Sequence, residues 1–165
     1  DIANASLLDE GTAAAEAVAL CQRVDKSKLH KILISKNCNP QTIDVVKTRA
    51  EPFNLDVIIG DDDNIDKVEG DLLCSIYQYP NTYGEINGAE TFIKKTQDKN
   101  GKAILVTDLL ALTLLKPPGE MGADIVVGNS QRFGVPMGYG GPHAAFLPLF
   151  HTYLNTLIVP SQLVV

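Results

Sequence analysis

The sequence predicts an α/β fold: three layers, with a mostly parallel β-sheet covered by helices on both faces. Short apolar runs that read as strands alternate along the chain with longer segments of helical periodicity, the pattern of βαβ units. At 165 residues, with 45% hydrophobic and 21% charged side chains, the chain falls in the one-domain range and can bury a sizeable core. Turn-forming and polar residues gather where several strands end, the place at which open α/β sheets collect ligands.

The elements follow in order. Leu7 to Val24 is Ala-rich with apolar spacing suited to a helix, and Lys31 to Ser35 reads as a strand. Pro40 stands at a helix start and leads into Gln41 to Ala50, followed by a strand from Leu55 to Ile59. Asp61, Asp62 and Asp63 open an acidic stretch that continues to Asp71. A solvated turn is the expected form, because three adjacent carboxylates do not converge on one cation without further ligands. Leu72 to Tyr77 reads as a buried strand, Ala89 to Asp98 as a surface helix, and Ala103 to Thr107 and Ile125 to Val127 as two further strands. Three carboxyl-terminal strand ends therefore carry polar groups: Gln78-Tyr79-Pro80-Asn81, Thr107-Asp108 and Gly128-Asn129-Ser130. Internal repeats and low-complexity segments are absent.

Composition excludes several classes. A net charge of −6 does not supply the cationic face that nucleic-acid binding needs. Arg23, Lys26, Lys28, Lys31 and Lys36 lie close in sequence, and a solvated cluster at helix ends accounts for them better than a phosphate-binding patch. Cys21, Cys38 and Cys74 are odd in number and lack CxxC spacing, so neither a disulfide framework nor a zinc site is indicated and a reducing compartment is favoured. No apolar stretch reaches the roughly 20 residues that span a bilayer. The N-terminus shows neither a signal-peptide core nor an Arg-rich leader. No G-x-G-x-x-G follows the first strand, which argues against a dinucleotide-binding domain.

The run GNSQRFGVPMGYGGPHAAF, Gly128 to Phe146, reads as a cofactor-site loop, with Gly134, Gly138, Gly140 and Gly141 permitting sharp bends or close backbone approach. Within it, His143 is expected at the start of a strand, fixing the loop rather than acting as an acid or base. His30 and His151 have no patterned companions, and no Ser-His-Asp or Cys-His set can be assembled. Asp108 ends a strand and has two readings: the cap of a helix from Leu109 to Leu115, or a buried carboxylate available to a ligand. Asp9-Glu10-Gly11-Thr12 opens the first helix, where two carboxylates complement the helix dipole.

Three blocks taken together carry a resemblance: ANASLLDEGTAAAEA (Ala3 to Ala17), YQYPNTYGEI (Tyr77 to Ile86) and TDLLALTLLKPPGEMGADIVVGNSQRFGVPMGYGGPHAAF (Thr107 to Phe146). Over residues 1–146 the chain resembles the glycine decarboxylase, or P-protein, of the glycine cleavage system. The resemblance implies a partial large domain of the pyridoxal-phosphate-dependent transferase type, similar to aspartate aminotransferase. It also implies an enzyme that decarboxylates glycine with pyridoxal phosphate and passes the aminomethyl group to the lipoyl carrier H-protein. P-proteins contain two related halves, and the N-terminal one lacks the Schiff-base lysine. Here Gln131 falls where that lysine belongs; an amide cannot form the imine, and the neighbouring Arg132 stays protonated. Lys116, beside Pro117-Pro118-Gly119, stands elsewhere in the pattern.

The chain is thus expected to be part of the lysine-lacking half, inactive alone, with the catalytic C-terminal half as partner in a complete enzyme that is a homodimer. By resemblance Asp108 corresponds to the ring-nitrogen aspartate, and Asn129, Ser130, Gln131, Gly11 and Thr12 are cleft positions toward the cofactor, with Asn4, Ser6 and Arg132 as further polar candidates. The matching turn in this fold cradles the cofactor phosphate, but Asp9 and Glu10 oppose a dianion, so an acidic helix cap is the favoured role there. Localisation is expected to be the mitochondrial matrix in a eukaryote and the cytoplasm in a bacterium, any targeting segment lying upstream of Asp1. After Phe146 the likeness is expected to stop. Residues 147–165, LPLFHTYLNTLIVPSQLVV, carry no charge; they suit a hydrophobic strand pair, but a divergent tail from truncation or read-through is the favoured reading. The competing function is a non-catalytic interaction module that pairs with a separate catalytic half.

Overall fold

Seven strands form one sheet in the order β1-β7-β6-β5-β4-β2-β3. The computed structural model describes residues 2–60, 62–136, 138 and 143–149, with side chains placed for all of these except 2–6, 62, 148 and 149. The strands are β1 (Ile2–Leu7), β2 (Lys31–Ser35), β3 (Asp56–Gly60), β4 (Cys74–Tyr79), β5 (Lys102–Asp108), β6 (Ile125–Asn129) and β7 (Ala145–Leu149). The helices are α1 (Glu10–Val24), α2 (Pro40–Ala50) and α3 (Ala89–Asp98). Strands β2 to β6 pair in parallel, whereas β7 runs antiparallel to both β6 and β1. Two reversals give β1 the direction of β6, so the chain leaves β1 at the same sheet edge as it leaves β2 to β6.

The three expected layers are present. On one face, α1 turns Ala13, Ala14, Ala17, Val18 and Cys21 onto Ile34, Ile76, Val106 and Val127 of the sheet. The small side chains bring this helix close to the sheet. Gly11 serves packing: a Cβ there would lie 3.2 Å from the Val45 Cγ2 of α2. On the other face, Phe92 and Ile93 of α3 cover Tyr77, Leu105 and Val126. Phe92 and Tyr77 stack with ring centroids 4.9 Å apart, a contact that contributes about 1 kcal/mol beyond burial. Both sets of positions in β4 are buried, as a central parallel strand demands.

Several boundaries differ from expectation for identifiable reasons. The first helix begins at Glu10 rather than Leu7, because Asp9 adopts extended φ and ψ and caps it, and Ile2–Leu7 is instead a strand. Strand β4 starts at Cys74, two residues late, since Leu72 and Leu73 are buried before the ladder begins. The helix expected over Leu109 to Leu115 is reduced to a single 3-10 turn, Ala111–Thr113, ahead of Pro117. Asp62–Lys67 forms 3-10 helix, and among the described residues no group of three metal-ligating side chains comes together. No helix among the described residues is long and apolar enough to cross a membrane. The five basic residues do not form one patch: Lys31 and Lys36 flank opposite ends of β2, and Arg23 pairs with Glu16. The boundary expected after Phe146 falls inside β7, whose Leu147 is buried in the core. Residues 150–165, including His151, lie outside the described residues.

Candidate functional site

The carboxyl edge of the sheet gathers most of the polar residues singled out by the sequence. Along β5 and β6, residues Asp108 and Asn129 occupy paired positions, and both strands direct them to the α1 face by alternation with Val106 and Val127. The N-termini of α1 and α2 meet the same edge, α1 being fed by β1 and α2 by β2. Such an arrangement focuses positive helix-end potential on that edge.

The polar groups of Asp108, Asn129, Ser130, Gln131 and Thr12 are each engaged by another part of the chain. Asp108 Oδ2 accepts from Arg132 Nη1 at 2.6 Å, and its Oδ1 accepts from the Leu110 amide at 3.2 Å, closing a local turn. Asp108 is therefore neither the cap of a regular helix nor an unpaired carboxylate. The Asn129 Oδ1 accepts from the Gln131 amide at 3.2 Å, and its Nδ2 donates to Glu10 Oε2 at 3.0 Å. Gln131 Oε1 and His143 Nδ1 lie 3.0 Å apart, so the imidazole ties the 3-10 turn Gln131–Phe133 to the segment entering β7, the loop-fixing role expected of it. Ser130 is anchored through both its amide and its hydroxyl to the Ala144 carbonyl. Thr12 donates its amide to Asp9 Oδ1 at 2.7 Å, as a capped helix start does.

Sequence reasoning missed the centre of this network. Glu10 Oε1 accepts from Asn39 Nδ2 at 2.9 Å and Thr42 Oγ1 at 3.2 Å, so one carboxylate joins the starts of both helices to the end of β6. No local spacing announces contacts between residues so far apart in sequence. Two buried groups, Gln78 Oε1 and the Thr107 hydroxyl, hold no hydrogen bond among the described residues. Both belong to the carboxyl ends of their strands. The side chains of Asn4 and Ser6 lie outside the described residues.

The residues present do not fit a covalently held pyridoxal phosphate. Gln131 offers an amide in place of an amine, Asp108 is already paired with a guanidinium, and carboxylates of Asp9 and Glu10 stand at the helix end where a phosphate would need amides. Lys116 is drawn away to Glu90 Oε1 at 2.6 Å, which holds its ammonium above the ordinary lysine range. Gly11 is explained by helix packing. The loop glycines also have local roles: Gly134 ends a 3-10 turn at a φ of 108°, and Gly128 lies against the neighbouring strand. Gly140 and Gly141 lie outside the described residues.

A seven-stranded, mostly parallel sheet with polar groups at its carboxyl edge is the large-domain architecture of pyridoxal-phosphate-dependent lyases and transferases. Consistent with this, the structure of a cystathionine γ-lyase from Micromonospora echinospora superposes with a TM-score of 0.68 at 16% identity, covering 92% of this chain and 39% of that one. The chain belongs to the glycine cleavage system P-protein family, whose model matches residues 1–164 and so continues past Phe146. It is 57% identical over 164 residues to a glycine dehydrogenase (decarboxylating) of Pelagibacter ubique, covering 99% of this chain and 17% of that protein. A mitochondrial glycine dehydrogenase (decarboxylating) of Arabidopsis thaliana is 57% identical over 163 residues, with 99% and 16% covered. A crystal structure of a glycine decarboxylase P-protein in inhibitor-bound form matches with a TM-score of 0.80 and 31% identity, over 95% of this chain and 36% of that one. The chain thus spans about one sixth of the length of these curated relatives.

Proposed function

We propose that this chain is part of the half of a P-protein that lacks the Schiff-base lysine, the half that supports the catalytic one. The observation that carries the reading is the engagement of Gln131 and Asp108 with His143 and Arg132, which leaves neither an amine nor an unpaired carboxylate for pyridoxal phosphate. The complete enzyme would decarboxylate glycine with that cofactor and deliver the aminomethyl group to a lipoyl H-protein, in a homodimer located in the mitochondrial matrix or the bacterial cytoplasm. Asp108, Asn129, Ser130, Gln131, Gly11 and Thr12 then act as framework of the shared cleft, shaping it for groups supplied by the partner half.

Exposed apolar side chains support a covering partner. Leu8, Tyr83, Ile86, Leu109, Leu114 and Phe133 all follow strand carboxyl ends, and Leu114 is 92% exposed. Together with the buried, unpaired Gln78 and Thr107 groups at the same edge, they describe a surface completed by other protein. Borohydride reduction of the full-length protein carrying this chain, followed by peptide mapping, tests the reading. The pyridoxyl group is expected on a lysine outside residues 1–165 and on none within it. A pyridoxyl adduct on Lys116, or glycine decarboxylation by this chain alone, would overturn it.

A further inference from the structure

The environment of Glu10 is built like an anion receptor. Its carboxylate sits in the first residue of α1 and takes hydrogen bonds from the α2 cap (Asn39 Nδ2, 2.9 Å), from the first turn of α2 (Thr42 Oγ1, 3.2 Å) and from the last residue of β6 (Asn129 Nδ2, 3.0 Å). All three donors are neutral, and the helix ends supply the compensating potential. Asn39 makes no cap bond to its own helix, its amide being committed to Glu10 and its carbonyl oxygen to the Thr82 hydroxyl at 3.1 Å. Glu10 and Asn129 are 119 residues apart in sequence, so the carboxylate fastens distant parts of the chain.

We infer that Glu10 is an internal anion standing in for a bound phosphate. Its side chain closes the cleft to phosphate esters and fixes α1, α2 and β6 in place without a ligand. The failure of this cleft to fit pyridoxal phosphate is then a built feature with two parts: the missing amine at Gln131 and the anion position filled from within.

The test compares Glu10→Ala and Glu10→Gln with the wild type in the full-length protein, its own cofactor bound, titrated with inorganic phosphate by calorimetry and followed by thermal unfolding. Wild type and Glu10→Gln, which both fill the position, are expected to show no saturable phosphate site beyond those of the holoenzyme. Glu10→Ala is expected to gain one site per chain, at least tenfold tighter than any wild-type binding, and to recover with phosphate the thermal midpoint it loses without it. Should Glu10→Ala not fold in water, refolding in the presence of phosphate is the expected outcome. A folded Glu10→Ala that binds phosphate no better than wild type would overturn the inference, as would wild-type binding of equal strength or an unfolded variant that phosphate does not restore. The inference rests on the hydrogen bonds of Glu10 and on family membership, so a failure of the pyridoxyl mapping above leaves it standing.

Discussion

Replacing Gly128 by alanine is the sharpest test of how the glycine-containing segment works. Gly128 lies in β6 between Thr107 of β5 and Phe146 of β7. A Cβ at this position would stand 2.0 Å from the Thr107 carbonyl oxygen and 3.0 Å from the Phe146 ring. Ordinary carbon-to-oxygen contacts lie near 3.3 Å, so the shortfall exceeds about 1 Å. The obstructing atom is backbone, which cannot rotate away as a side chain can. Relief therefore requires β5 and β6 to separate. Overpacking of about 1–3 kcal/mol adds to one or two weakened ladder hydrogen bonds at about 1 kcal/mol each, giving about 2–5 kcal/mol. That is a large part of the roughly 5–15 kcal/mol that holds a domain together. Denaturant unfolding measures it as a shifted midpoint, with Gly134→Ala as the control. Gly134 has a φ of 108° but open space around it, so only backbone strain of about 1–2 kcal/mol applies. A Gly128→Ala midpoint within 1 kcal/mol of wild type, or a Gly134 variant that is the less stable of the two, would refute the steric argument.

Four further outcomes are expected. Asp9→Ala removes the acceptor for the Thr12 amide and lowers stability by about 1 kcal/mol in the same assay. Asp124 accepts from the Ala103 amide at 2.9 Å and from Gln97 at 3.2 Å, bracing the starts of β5 and β6. Asp124→Ala strands these donors and is expected to cost about 1–3 kcal/mol, whereas Lys116→Met at the exposed Glu90 pair stays within about 1 kcal/mol of wild type. The Cys74 thiol is held well above 9.0, first by its hydrogen bond with the Cys21 thiol and then by burial. The folded state keeps that proton where the unfolded chain releases it, so this contribution is full below pH 9.0 and is lost as pH rises beyond it. Unfolding midpoints followed with pH should therefore decline earlier in wild type than in Cys74→Ala. All three buried cysteines should resist a thiol reagent until the chain unfolds.

The strand and helix succession was legible because burial on both faces leaves continuous apolar runs, as in Ile32 to Ile34, Ala103 to Val106 and Ile125 to Val127. Helix α3 matched its expected span because apolar Phe92 and Ile93 stand against charged neighbours. Strand β1 was not legible: among the described residues Ile2–Leu7 pairs only with β7, a partner more than 130 residues away, and its short run carries little β signal of its own. The same limit hid the Glu10 network, whose donors come from α2 and β6. Family resemblance singled out Gln131 and Asp108, but it could not reveal that each already had an intramolecular partner.

The glycines of the segment and the amide of Gln131 are compatible because they answer to different forces. Gly128 is required by the separation of β5 and β6, and Gly134 by a left-handed turn end. Both requirements persist whether or not a cofactor is bound. The amine has no such structural duty, and the amide of Gln131 supplies a contact that the loop can use, through His143. A carboxylate between two helix ends likewise does mechanically what a phosphate would do, without depending on a ligand's concentration. A site whose polar groups are bonded to one another keeps its shape without a ligand. Under the proposed function, in which another half docks against this surface, such permanence has a use: a preorganised face loses less entropy on association than one that must first be ordered.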